Sequence, residues 1–383
     1  GEVFMNKIIS LIVAIFFLAY SVTYADKVKV GMITTLSGGG SGLGIDIRDG
    51  FMLAIKGNPD IEVITGDDQR KPDIAVQLAD KMIQADKVDI LTGIVWSNLA
   101  MAVVPAVVTQ NKFYLSPNAG PSMLAGKKCH KNYFNVAWQN DNLYEAAGGY
   151  ANSAGFKKSF FLAPNYPAGK DALSGYTRYF NGSLAAEVWT KLGQTDYATE
   201  ISKIRDSNAD NVFFFLPGGM GIAFLKQYAQ SGVDIPLLGP AFSFDQGILK
   251  AVGEAALGVK NTSQWSKDID NAANKKFVKE FQAAYGRLPS LYASQGYDTG
   301  KIIVTAMKNA SINDIDKFRE AIKKAPLKGF QSTRGKFKFS ENHHPIQDIF
   351  VREVIKEGNI LTNKIVSIGL KDQSNAYVKE CKM

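Results

Sequence analysis

The mature-looking part of the chain is a series of short apolar runs, each followed by an amphipathic stretch. Lys27 to Ile33 reads as a strand, then a Gly-rich turn, then a helix over about 42–56. Ile61 to Thr65 is a second strand. Pro72-Asp73 opens a helix, since proline is tolerated in a first turn, and Ile74, Leu78 and Met82 recur at i, i+4 and i+8 as its buried stripe. Val88 to Thr92 is the next strand and ends at Gly93. Asn98 to Thr109 is helical, and Lys112 to Leu115 is again extended.

The second half repeats this rhythm. Lys158 to Ala163 is a strand that stops at Pro164, and Leu173, Tyr176 and Phe180 mark one face of the helix after it. Asn211 to Leu216 is the near-continuous apolar run of a strand covered on both faces. It breaks at Pro217-Gly218-Gly219, and a helix runs on to Gly232. Leu237-Leu238 begins a short strand, Phe277, Phe281 and Tyr285 line a helix, and another helix spans about 291–309. Lys336 to Phe339, Gln347 to Val354 and Ile360 to Val366 have the look of antiparallel strands. Alternating βαβ units imply an α/β fold with mostly parallel sheets, here as two Rossmann-like lobes. No low-complexity linker separates them, so ordered chain must cross between lobes. Asp141-Asn142 and the stretch 261–266 are the candidate crossings.

The N-terminus follows different rules. After Lys7, Ile8 to Ala19 is apolar apart from Ser10, and Thr23 and Ala25 stand at plausible −3 and −1 positions. That order of regions is a secretory signal peptide over 1–25; its core is short against the roughly twenty residues of a membrane span. The expected location is the periplasm, as a soluble monomer. Composition agrees with a globular product: 46% hydrophobic and 21% charged residues in 383 exclude a disordered tail, a fibre and a multispan protein. The net charge of +8 is scattered, with Lys127, Lys128 and Lys131 as its tightest cluster, so no nucleic-acid partner is expected.

Catalytic chemistry finds little support. Gly38 to Gly44 is glycine-rich but fits neither G-x-G-x-x-G nor a P-loop, there is no G-x-S-x-G elbow, and His130, His343 and His344 lack a metal-site context. No catalytic residue, metal or cofactor is expected. What remains are loops at the C-terminal ends of strands, where open α/β sheets bind ligands against helix N-termini. They are 34–44, 93–98, 116–122, 164–169 and 216–220, rich in Gly, hydroxyls and amides. Trp96, Tyr166 and Phe242 can serve as flat apolar walls or as plain core. Ser97 and Asn118 can be ligand contacts or helix caps.

Several of these loops carry a family resemblance. Val30 to Gly38 followed by Gly44 to Gly50, Ser97-Asn98, Leu115 to Gly120, Trp138-Gln139-Asn140-Asp141, Tyr166 to Asp171 and Gly296-Tyr297-Asp298 resemble, in order, the solute-binding proteins of branched-chain amino-acid-type ABC importers. The resemblance implies a type I periplasmic-binding fold: two lobes, three crossover segments and a ligand cleft between them. It implies lobe 1 from 26–141 and 264–334, and lobe 2 from 142–263 and 335–383 with the C-terminal tail. It also implies that Ser97 and Asn118-Ala119-Gly120 grip a ligand carboxylate and that Tyr166 closes over it. Ser37, Trp96, Gly218 and Phe242 complete the candidate set. One departure matters. Amino-acid-binding members often carry an acid just after the strand ending at Gly239, whereas this chain has Gly239-Pro240-Ala241-Phe242, and Asp245 resembles a helix cap. An apolar or aromatic acid thus competes with a branched-chain-type amino acid as ligand. The expected function is an extracytoplasmic receptor that delivers a small carboxylate to an ABC permease by cleft closure. A ligand-sensing domain on the same fold and an exported enzyme are the alternatives.

Cys129 and Cys381 are the only cysteines. In an exported chain an even count favours pairing, which would pin the C-terminal tail to lobe 1; two free thiols are the other possibility.

Overall fold

Two sheets organise the chain. The computed structural model describes residues 27–383; the signal peptide expected over 1–25 lies outside the described residues. Strands β1 (Val28–Thr34), β2 (Ile61–Asp67), β3 (Ile90–Thr92), β4 (Phe113–Ser116) and β5 (Tyr133–Asn135) form a parallel sheet in the order β2-β1-β3-β4-β5. The central strands β3 and β4 are buried throughout because helices cover both faces. The helix Leu291–Met307 returns from late in the chain to pack on Ser41–Ile55. Glycine permits that approach: a Cβ at Gly50 would collide with the carbonyl of Ala293, and one at Gly296 with that of Ile47.

The second lobe holds β6 (Lys158–Pro164), β7 (Ser183–Thr190), β8 (Asn211–Phe214), β9 (Leu237–Pro240) and β10 (Lys260–Ser263), parallel in the order β7-β6-β8-β9-β10. To β10 are added, antiparallel, the long strand β12 (Pro345–Glu357) and its hairpin partner β13 (Ile360–Gln373), while β11 (Lys338–Phe339) pairs with the start of β12. The stretch 261–266 therefore begins as a sheet strand and leaves it only after Ser263. Phe337 and Phe339 pack with the first lobe's core although β11 is already paired with β12.

Buried polar contacts tie these segments together. The guanidinium of Arg334, fully buried, donates to the carbonyls of Val136 and Ala137. Asp245 precedes the helix Gln246–Val252, yet its carboxylate does not cap that helix. It accepts instead from the Leu291 N–H at 2.8 Å, binding the second lobe to a helix of the first, and lies 3.5 Å from Arg352. Burial pushes the Asp245 carboxyl up to about 6. The tail adds a further tie. Tyr377 donates to Asp141 at 2.8 Å, and Cys129 and Cys381 form a disulfide with 5.6 Å between Cα atoms.

Candidate functional site

Three helices start at the cleft, each directly after a buried strand: Ser97–Thr109, Pro167–Tyr179 and Gly219–Gln230. Their first N–H groups have no intrahelical acceptor, which makes such ends attractive to anions. Between the lobes lies a small cavity.

Of the residues expected there, Trp96, Ser97, Asn118, Ala119, Tyr166 and Phe242 line it. Trp96 is held edge-on: its Nε1 donates to Thr35 Oγ1 at 3.0 Å, and Thr35 donates in turn to Asp68 at 2.7 Å. The Arg70 guanidinium stands over its ring, 5.5 Å from the centroid. Tyr166 stacks on Phe215, and Phe242 packs against Trp138 and Phe215 with centroids 5.2 and 5.5 Å away. Neither Ser97 nor Asn118 is a helix cap. Asn118 donates to the Val95 carbonyl at 2.6 Å, and Ser97 Oγ accepts from Asn140 at 3.0 Å.

Ser37, Gly120 and Gly218 do not line the cavity. Ser37 is exposed and donates to Asp67 at 2.5 Å. The Gly120 N–H is spent on Asn140 Oδ1 at 3.0 Å, so it is not free for a ligand. The Gly218 N–H is spent on the Phe242 carbonyl at 3.2 Å. Gly218 matters in another way: with φ of 63° it turns against Leu43 and Gly40, where the two lobes come close.

The structure adds residues that the sequence reading did not assign. Asn140 is the polar hub. Its Nδ2 donates to Ser97 Oγ and, at 2.9 Å, to Asp171 Oδ2, while its Oδ1 accepts from Gly120 N–H and, at 3.3 Å, from Trp138 Nε1. Asp171 also accepts from the Ser122 N–H at 3.1 Å. Burial, reinforced by the charge of Asp141, pushes its carboxyl up to about 7. Tyr144 and Tyr292 join Tyr166 in the lining. Burial holds all three phenols above their ordinary range, so they stay protonated. Asn140 belongs to the Trp138-Gln139-Asn140-Asp141 motif, but nothing in its spacing marks it as a bridge. Tyr144 sits on the helix Asp141–Ser153, which the apolar pattern did not disclose.

The lining contains no charged side chain. Asp245 faces Leu291 and Arg352 instead, and Asp171 stands behind the lining, bonded to Asn140. Among the described residues no group of three or more His, Cys, Asp or Glu could hold a metal. His343 and His344 are buried and held neutral, at about 3 and about 4, against Phe134 and Tyr133. The site is thus an aromatic slot with neutral hydrogen-bonding groups and helix N-termini, suited to holding a small anion with a flat apolar body.

Comparison with known proteins agrees with this architecture. A family model described as periplasmic binding protein matches residues 27–359. The Leu/Ile/Val-binding protein homolog 6 of Brucella melitensis is 31% identical over 372 residues, 92% of this chain and 94% of that protein. Among solved structures, an ABC-transporter solute-binding protein from R. palustris in complex with benzoate superposes with a TM-score of 0.86. It is 31% identical, and the match covers 93% of this chain and 99% of that one. A second R. palustris solute-binding protein, in complex with 4-hydroxybenzoate, gives a TM-score of 0.84 at 25% identity, covering 91% and 98%.

Proposed function

The chain belongs to the periplasmic binding protein family, and we propose that it is the extracytoplasmic receptor for a small aromatic carboxylate, which it delivers to an ABC permease by closing its lobes on the ligand. In this reading residues 1–25 export it to the periplasm and it acts as a monomer. The segments 26–141 and 264–334 close against 142–263 and 335–383.

The observation that carries the proposal is the lining: Trp96, Trp138, Phe215 and Phe242 with no charged side chain among them. An α-amino acid brings an ammonium as well as a carboxylate, and burying an unpaired ammonium is strongly unfavourable. A carboxylate alone is served by the Ser97 hydroxyl and the helix end beginning at Ser97. Burying a ring-sized body of roughly 150 Å² contributes on the order of 4 kcal/mol. The relatives holding benzoate and 4-hydroxybenzoate support the same ligand class. The Brucella relative, a Leu/Ile/Val-binding protein homolog, favours a second reading, a branched-chain amino acid. Isothermal titration calorimetry with benzoate, 4-hydroxybenzoate, leucine, isoleucine and valine separates the two. The proposal expects heat with the aromatic acids and none with the amino acids; the opposite pattern overturns it.

A further inference from the structure

Buried tyrosine hydroxyls in this protein are paired almost everywhere. Tyr114 accepts from the Ile94 N–H, and Tyr133, Tyr197, Tyr228 and Tyr285 donate to backbone carbonyls. Tyr176 bonds to Ser159 at 2.6 Å. Pairing is the rule because an unsatisfied buried hydroxyl costs about 1–3 kcal/mol. Tyr297 breaks it away from the cleft, and within the cleft cavity the hydroxyls of Tyr144, Tyr166 and Tyr292 all break it. No hydrogen bond to protein is made by any of these three among the described residues, and none is sealed away as a buried orphan atom. They are therefore open to whatever occupies the cavity.

These hydroxyls belong together. Tyr144 comes from the helix Asp141–Ser153, Tyr166 from the start of Pro167–Tyr179 and Tyr292 from the start of Leu291–Met307, yet each lies within electrostatic range of the others. Their rings lean on the apolar wall, Tyr144 and Tyr166 against Phe215 and Tyr292 against Phe242. Ser97 is tied through Asn140 to Asp171 and Trp138, and Asp171 lies within electrostatic range of Tyr144 and Tyr166. The cleft thus offers a hydroxyl at the Ser97 helix end and, on the other side of the Asn140–Asp171 pair, a group of phenols.

Chemistry limits what the phenol station accepts. Each hydroxyl can donate once and also accept. A second carboxylate would bring a charge that no lining cation meets, and it would stand near the Asp171 carboxyl. A neutral group that both donates and accepts fits, and on an aromatic ring that group is a hydroxyl. An unsubstituted ring leaves the three phenols without partners or draws in water.

We infer that Tyr144, Tyr166 and Tyr292 form a specificity station for a ring hydroxyl, so that the ligand is a hydroxylated aromatic acid, with the carboxylate at Ser97 and the hydroxyl among the three phenols. This rests on the aromatic-carboxylate reading above and sharpens it, because it ranks a hydroxybenzoate ahead of benzoate. Sites built to hydrogen-bond a ligand hydroxyl discriminate strongly against analogues that lack it.

The test is calorimetric titration of the full exported protein with benzoate, 3-hydroxybenzoate and 4-hydroxybenzoate, repeated on Tyr144→Phe, Tyr166→Phe and Tyr292→Phe. The wild type should bind the better hydroxybenzoate at least tenfold more tightly than benzoate. At least one Tyr→Phe change should bring that ratio to within threefold of one. The ratio is the readout because general damage to the site lowers both affinities together. Benzoate binding as tightly as both hydroxybenzoates overturns the inference and leaves the receptor reading standing. A wild-type preference that all three variants keep overturns the assignment to these tyrosines. If a variant fails to fold, the wild-type ratio and the other two still decide. Binding of none of the three acids removes the aromatic-carboxylate reading and this inference with it.

Discussion

Asn140 joins the ligand cavity to the contact between the lobes, and its replacement tests that link. The side chain makes four hydrogen bonds: to Ser97 Oγ at 3.0 Å, to Asp171 Oδ2 at 2.9 Å, from Gly120 N–H at 3.0 Å and from Trp138 Nε1 at 3.3 Å. A typical buried hydrogen bond contributes about 1 kcal/mol net, and one to a charged group somewhat more, so Asn140→Ala forfeits roughly 4–5 kcal/mol. Water admitted to the vacated space restores part of this, leaving a loss of about 2–3 kcal/mol. Ser97 is released from its orientation, and Asp171 keeps only the Ser122 N–H. Of the four bonds only that to Asp171 crosses between the lobes, so calorimetry at pH 7 should show affinity for the aromatic acid falling about tenfold or more, with the loss of the other three bonds appearing as a lower melting temperature. Asn140→Asp sharpens the test. It sets a second carboxylate against Asp171, and two such neighbours cannot both ionise. The closed form must then take up a proton, so the variant's affinity should recover as pH is lowered from about 8 to 5, a window wider than the wild-type protein needs. Affinity within threefold of wild type for Asn140→Ala would refute the reasoning.

Three further outcomes follow from the same contacts. The Asp171 carboxyl is raised to about 7 by burial and the charge of Asp141. Its contribution to stability is present at low pH and is lost as pH rises from its unfolded value near 4 through about 7. Both of its hydrogen bonds fall on Oδ2, so Asp171→Asn can keep them with its carbonyl oxygen. Thermal unfolding should show this variant more stable than wild type at pH 8 by on the order of a few kcal/mol, with little or no gain at pH 4; no difference at either pH contradicts the assignment. Cys381→Ser opens a disulfide that spans 252 residues, worth at most about 5 kcal/mol by chain entropy. Its melting temperature should fall by several degrees, a reductant should produce the same fall in wild type, and equal melting points for oxidised and reduced protein would contradict it. Small-angle scattering should show the radius of gyration decreasing on addition of a bound aromatic acid; an unchanged distance distribution speaks against closure.

Much of the architecture is legible in the chain because parallel strands covered on both faces leave continuous apolar runs. Asn211–Phe214 and Lys158–Pro164 are such runs, and the loops after them open on the cleft. The edge strand Ser183–Thr190 escapes this signal because it is half exposed and carries two adjacent alanines. At the site, the aromatic walls and Ser97 could be read from position alone, since they follow strand ends. Ser37 and Gly120 could not be judged that way. Their polar groups are claimed by Asp67 and Asn140, 30 and 20 residues away in sequence, and local pattern carries no trace of a partner at that distance. The same holds for Tyr144 and Tyr292, whose convergence with Tyr166 exists only once the lobes are folded together. Asp245 shows the converse: it stands at a helix start as expected, while its carboxylate reaches a different helix in the other lobe.

The most direct test of the account is a crystal structure of the protein grown with 4-hydroxybenzoate. The account predicts closed lobes, with the ring between Trp138, Phe215 and Phe242 and the carboxylate within hydrogen-bond distance of the Ser97 hydroxyl. A cleft holding an α-amino acid retained from purification, or a ring bound elsewhere with this cavity empty, would contradict it.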